Sequence, residues 1–178
     1  MAAPARPVQQ QRSSAAPAPR WIAPPVGYAK INVDAVVQKL RNAGAVAAVC
    51  RRDDGSFLGA SAVSISGITE PGILEALACR EALSLAADLQ LQHVCIASDC
   101  LEVIKGIDGV NLGRFSSVLA EIKARRADFS SVEFRHERRL SNKEAHGLAR
   151  SSAYLDTGRH TWFGHPPDLF CIPWILPS

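Results

Sequence analysis

Three acids stand where a lone charge needs a reason. Asp34 lies inside the apolar run AKINVDAVV, Glu75 near the start of PGILEALACREALSLAADLQ, and Asp99 directly after HVCIAS. Each has an ordinary explanation. Asp34 could face solvent from a strand, Glu75 could answer the positive end of a helix dipole, and Asp99 could cap the next helix. Brought together, however, the three would repel one another unless a divalent cation neutralised them. Hard oxygen ligands with water in the remaining positions suit Mg²⁺. Two such ions about 4 Å apart can activate a water and stabilise a leaving oxygen in phosphodiester hydrolysis.

A second stretch, RHERRLSNKEAHGLAR (135–150), sets His136 and His146 among Arg135, Arg138, Arg139, Lys143 and Arg150. With Lys123, Arg125 and Arg126 nearby, these bases form a local patch suited to a polyanion. Asp128, Glu133, Glu137 and Glu144 dilute it, so charge alone fits a solvated face equally well. SNKE (141–144) has the form of a capping box, with Ser141 and Glu144 satisfying each other's backbone N–H. The helix it would start runs to about residue 154. It would bury Ala145, Leu148 and Ala149 and present Asn142, His146 and Arg150 on another face.

The surrounding elements decide whether these groups can meet. AKINVDAVV alternates, with Ile31, Val33 and Ala35 on one face and Lys30, Asn32 and Asp34 on the other, the pattern of a half-buried strand. GAVAAVCRR is an apolar strand joined through the DDG turn at 53–55 to SFLGASAVSIS, which makes an antiparallel meander. The segment 71–90 begins with Pro and predicts a helix with Leu74, Leu77, Leu85 and Leu89 as its buried stripe. HVCIAS is a compact apolar run of the kind found in central parallel strands, and Asp99 sits at its carboxyl end, where open α/β sheets place ligands. Two shorter helices (LEVIKGI, SSVLAEIKARR), a strand (SVEFRH) and the last helix follow. The order β-β-β-α-β-α-α-β-α predicts an α/β domain with a mixed five-stranded sheet. The acids converge if the first and fourth strands are neighbours and the long helix packs over them.

Composition bounds the rest. The chain has 178 residues and a net charge of +3. Arg6, Arg12, Arg20 and Lys30 occur before any acid, so the remainder is close to neutral and only a local patch could hold nucleic acid. Residues 1–27, rich in Ala, Pro, Gln and Arg, lack apolar periodicity and are expected to be a disordered leader. The Ala, Ser and Arg content of the leader also suits a transit peptide. No stretch is apolar enough to span a membrane, and no secretory core is present. Cys50, Cys79, Cys95, Cys100 and Cys171 form no CxxC pair, which points to a reducing compartment, nucleus or cytoplasm.

Taken in order, the motifs resemble the plant ribonuclease-H-like domain, the reverse-transcriptase-like branch of the type 1 ribonuclease H family. RWIAPPVGYAKINVDA is similar to the family's entry, and GAVAAVCRRDDGSFLGA to its second and third strands. LEALACREALSLA is similar to its first helix, ASDC to the Ser-Asp after strand four, RHERRLSNKEAHGLAR to its closing signature and WFGHPPDLF to its tail. The resemblance implies a ribonuclease-H-like fold, three antiparallel strands followed by parallel ones and flanked by helices. Its bounds would be 28–157, with a C-terminal extension over 158–178. It implies cleavage of the RNA strand of RNA–DNA hybrids with two Mg²⁺ ions, by a protein expected to be monomeric. Asp34, Glu75 and Asp99 match three of the family's four acids, and the fourth position is His146. A neutral imidazole there brings no negative charge and suits Mn²⁺ better than Mg²⁺. His136 matches a loop histidine linked to proton transfer or product release, and Arg138, Arg139, Asn142 and Lys143 would face the nucleic acid. ITEPGIL (68–74) lacks the asparagines with which bacterial relatives grip RNA 2′-hydroxyls, and no basic protrusion is present. These departures leave a second expectation, a catalytically impaired nucleic-acid-binding module derived from a retroelement.

Overall fold

The computed structural model describes residues 20–109 and 113–167. Most of the leader, the end of the C-terminal extension and Cys171 lie outside them. Six strands form one mixed sheet: β1 (Ala29–Gln38), β2 (Ala43–Arg51), β3 (Phe57–Ser66), β4 (His93–Ser98), β5 (Ser131–His136) and β6 (Gly158–Phe163). Their order across the sheet is β5-β4-β1-β2-β3-β6. The first three strands and β6 pair antiparallel, while β4 lies parallel to both β1 and β5.

The sheet therefore has one strand more than the expected five. β6 falls in the region read as an extension and pairs along β3, from Gly59–Phe163 to Ser64–Gly158. Its sequence, GRHTWF, alternates in exposure, as befits a sheet edge with one covered face. The DDG turn forms as expected, with Gly55 at φ +86°, a conformation that a side chain would strain.

Helix α1 (Pro71–Asp88) packs on one face of the sheet, with α2 (Leu101–Asp108) and α3 (Ser116–Arg125) beside it. α1 buries Leu74, Leu77 and Leu85 of its expected stripe, while Leu89 is the C-cap and only partly buried; Ala76, Ala78, Cys79, Ala82 and Ala86 are also sealed, because α3 packs on the helix as well. Helix α4 (Lys143–Ser152) covers the opposite face, setting Ala145, Leu148 and Ala149 against Ala47, Val49, Ala60 and Ala62. Small residues on β2 let helices approach closely from both sides. At Gly44 an added Cβ would stand 2.5 Å from Leu74 Cδ1.

Two local features differ from the pattern expected of the sequence. β1 is not half-buried, since α4 closes over its polar side: Lys30, Asn32 and Asp34 are 1%, 3% and 3% exposed. The capping box does not form. Residues 139–141 make a short 3₁₀ turn, Asn142 takes the N-cap position without a side-chain cap, and Glu144 turns to Arg51. Arg51, 1% exposed, donates from Nε and Nη2 to the two Glu144 oxygens, both at 2.9 Å, and from Nη1 to the Gly55 carbonyl. A bidentate partner for a buried guanidinium outweighs a surface cap.

The leader boundary also moves. Pro24 is buried, and Trp21 donates from Nε1 to Asn32 Oδ1 at 3.2 Å. Trp21 and Pro24 thus pack on the domain and the Ile22 carbonyl accepts from Lys30, while the other side chains of 20–27 stay exposed.

Candidate functional site

Parallel pairing of β1 with β4, in the register Asn32–Ala97, brings the two strand ends together. Asp34 extends from β1 and Asp99 follows β4, while α1 crosses above and contributes Glu75. One oxygen from each of the three carboxylates lies within 4.8 Å of the others. The ordinary explanations fall away at this point. Asp34 is not on a solvent face, and Glu75 stands in the second turn of α1, beyond the reach expected of the dipole. Asp99 does not cap α2, whose N-cap is Cys100; the Cys100 N–H is instead satisfied by Ser98 Oγ at 3.1 Å.

Burial and mutual repulsion mark the cluster electrostatically. Desolvation foremost, then Asp34 and Asp99, pushes the Glu75 carboxyl up to about 8. Asp34 is also raised, chiefly by burial, although its hydrogen bond to His146 pulls the other way. Glu75 Oε2 is buried with no hydrogen-bond partner. An unsatisfied buried acid oxygen beside two further carboxylates is costly as it stands, and a hard divalent cation is the group that would relieve it. The donor set therefore fits Mg²⁺ or Mn²⁺, with Asp34, Glu75 and Asp99 as the residues that would hold it.

His146 touches this cluster without being one of the three. Its Nδ1 lies 2.6 Å from Asp34 Oδ2, so with the proton on Nδ1 the ring donates to that carboxylate. The expected fourth position is thus beside the site, where it occupies one face of a ligand. His136 ends β5 opposite Ser98, exposed, with Nε2 3.2 Å from the Asp99 carbonyl oxygen. It borders the acids through the main chain.

The expected nucleic-acid contacts divide. Arg138, Arg139 and Lys143 are exposed, as is Arg150, and Arg139 is near enough to Glu75 to favour its charged form. Asn142 does not belong with them. It is 1% exposed, its Oδ1 accepts from Asn32 Nδ2 at 2.9 Å, and its Nδ2 donates to the Val33 carbonyl at 2.7 Å. Both ends of the amide are consumed inside the protein. Three other bases of the sequence patch are also committed: Arg125 to Ser84, Arg126 to Asp108 and Arg135 to Glu133.

A groove of about 940 Å³ leads from His146 along the second half of β1, between Val37 and Gln38 on one side and Arg139, Arg150 and Tyr154 on the other. No acid lines it among the described residues. At its far end Arg41 lies 5.9 Å from the ring of the exposed Tyr154. Sequence reasoning passed over Gln38, Arg41 and Tyr154, since nothing in one strand, one turn and one helix end shows that they meet. It also passed over Lys30, Asn32 and Glu137. The apolar face of α4 was the available signal: a helix needing cover on that side implied that the polar face of β1 would be sealed.

A family model described as reverse transcriptase-like matches residues 32–152. Solved structures with the same fold include the N-terminal RNase H domain of a Mycobacterium tuberculosis protein, studied as a fusion with maltose binding protein. It is 18% identical, with a TM-score of 0.64 over 71% of this chain and 93% of that one. RNase H1 from the halophilic archaeon Halobacterium salinarum is 22% identical, TM-score 0.60, over 71% and 96%. LC11-RNase H1, in a complex with an RNA/DNA hybrid, is 18% identical, TM-score 0.61, over 69% and 94%. No curated protein matches the chain by sequence.

Proposed function

The chain belongs to the reverse transcriptase-like family and has the ribonuclease H fold, and on that premise we propose that it is a metal-dependent endoribonuclease acting on the RNA strand of RNA–DNA hybrids. The observation that carries this reading is the convergence of Asp34, Glu75 and Asp99, with one Glu75 oxygen buried and unpaired, joined through His146 to a groove that no described acid lines.

In this reading Asp34 and Asp99 would hold a first ion, Glu75 would share it and orient the attacking water, and His146 would border a second, weaker position. When bound, Mg²⁺ or Mn²⁺ supplies charge neutralisation at the scissile phosphate and lowers the pKa of a bound water. The protein's own groups do the rest. Arg138, Arg139, Lys143 and Arg150 draw and place phosphates. His136, at the mouth beside Asp99, can hold or release a proton next to the leaving oxygen. Burial of Asp34 keeps water from screening the cluster.

One observation favours a second reading, a binding module without turnover. His146 already takes one oxygen of Asp34, and among the described residues no fourth carboxylate joins the three. A labelled hybrid, a DNA duplex and an RNA duplex, each incubated with the purified chain in Mg²⁺ and in Mn²⁺, separate the two. Cleavage of the hybrid alone supports the nuclease. Salt-sensitive hybrid binding with no product in either metal supports the module.

A further inference from the structure

Alternate residues of β1 form three polar rungs toward the segment running from the end of β5 into α4. Lys30 Nζ pairs with the Glu137 carboxylate, Asn32 Nδ2 donates to Asn142 Oδ1, and Asp34 Oδ2 meets His146 Nδ1. The first two rungs are sealed: none of their four side chains is more than 7% exposed. Asn142 is the N-cap residue of α4, and its carbonyl accepts the His146 N–H at 3.2 Å. The second rung therefore sits one turn from the third.

Two residues upstream of the family-matched span lie across the first two rungs. The Trp21 ring stands 5.5 Å from Lys30 Nζ, and its Nε1 donates to Asn32 Oδ1. The Ile22 carbonyl accepts a further proton from Lys30 Nζ. Each rung thus has one end tied to β1, one end tied to the 137–142 segment, and a third contact from Trp21 or Ile22. Without them a buried amide oxygen and one ammonium proton lose their partners, a costly state for groups shut off from water. The 137–142 segment would shift to satisfy them. α4 begins where that segment ends.

We propose that Trp21 is a positioning residue for the site: by locking the Lys30–Glu137 and Asn32–Asn142 rungs, it fixes the first turn of α4 and so the placement of His146 against Asp34. Its effect on cleavage rests on the nuclease reading above, but its effect on His146 does not.

The test compares the full chain with Trp21→Phe, which keeps a ring over Lys30 and loses the donor, and with Trp21→Ala. Imidazole resonances are recorded on ¹⁵N-histidine-labelled protein well below each melting midpoint. The His146 ring signals move in Trp21→Ala and move less in Trp21→Phe, while those of His160, on the far edge strand, stay in place. In the cleavage assay Trp21→Ala lowers kcat about tenfold with KM little changed, as a misplaced group does, and Trp21→Phe recovers part of it. His146 signals unchanged in a folded Trp21→Ala protein overturn the proposal. Should Trp21→Ala not fold, Trp21→Phe decides alone: a displaced His146 signal supports the proposal and an unmoved one overturns it. If no protein, wild type included, cleaves hybrid, the nuclease reading fails, and the His146 signals still decide the role of Trp21.

Discussion

Glu75 and His146 carry the sharpest consequences at the scale of single residues. Because burial and two neighbouring acids push the Glu75 carboxyl up to about 8, the folded chain retains a proton that the unfolded chain has released above its ordinary value of 4.5. The folded state therefore loses stability as pH rises from about 4.5 through about 8. Asp34, raised as well, adds to the same slope. In chelator-treated protein we expect up to about 5 kcal/mol of loss across that window, measured by urea unfolding at several pH values. Mg²⁺ or Mn²⁺ should restore most of it at the alkaline end. Glu75→Gln should flatten the profile and abolish that restoration. At His146 the substitution to Asp exchanges a hydrogen bond to Asp34 for a like charge, so metal-free stability should fall. The same change offers a hard oxygen ligand, so the Mg²⁺ concentration giving half-maximal cleavage should drop several-fold and any preference for Mn²⁺ should shrink. Mg²⁺ titrations that superimpose for wild type and His146→Asp would remove His146 from the metal site.

At the scale of elements, α4 is held by its side chains, and its termini contribute little. Glu144 neutralises the buried Arg51, while Ser141 makes no cap. Ser141→Ala should therefore cost less than about 0.5 kcal/mol, half or less of a typical cap loss. Glu144→Ala, which strands a buried guanidinium, should cost about 3 kcal/mol or more in urea unfolding. The order of elements was legible in the sequence because each has its own period: alternation in β1, an apolar run in β4, leucines at helical spacing in α1. The three acids were legible for a related reason, since Asp34 and Glu75 interrupt apolar elements and Asp99 directly follows one. The competing fates of side chains at contacts made far along the chain were not legible. SNKE satisfies a local rule, yet Glu144 answers to Arg51, 93 residues away. Asn142 reads as a polar helix start beside a basic loop, yet Asn32 and Val33 consume it. β6 escaped because GRHTWF is short and its pairing partner, β3, ends about ninety residues earlier.

For the whole molecule the question is how a nearly neutral domain could hold a polyanion. Among the described residues Arg139 and Arg150 line the groove and Arg138 and Lys143 are exposed close to them in sequence, while Arg125, Arg126 and Arg135 are spent on internal partners. Four phosphate contacts predict a slope of about −3 to −4 for log K against log salt in hybrid binding. Arg139→Ala should lessen the slope by about one without altering the fold. A slope that keeps its wild-type value in Arg139→Ala would place the nucleic acid elsewhere.

If Asp34, Glu75 and Asp99 act together as the metal-holding centre of a hybrid nuclease, as proposed, the charge on Asp34 is indispensable. Single-turnover cleavage of a labelled RNA–DNA hybrid by wild type and Asp34→Asn, at saturating Mg²⁺ and again at saturating Mn²⁺, tests it most directly. The substitution keeps shape and burial while removing the charge at the joint between the acids and His146. We predict hybrid cleavage by wild type and a loss of about 100-fold or more in Asp34→Asn in both metals, with the melting midpoint no lower than wild type because a buried repulsion has been removed. Equal cleavage rates for the two proteins would remove Asp34 and its neighbours from the chemistry.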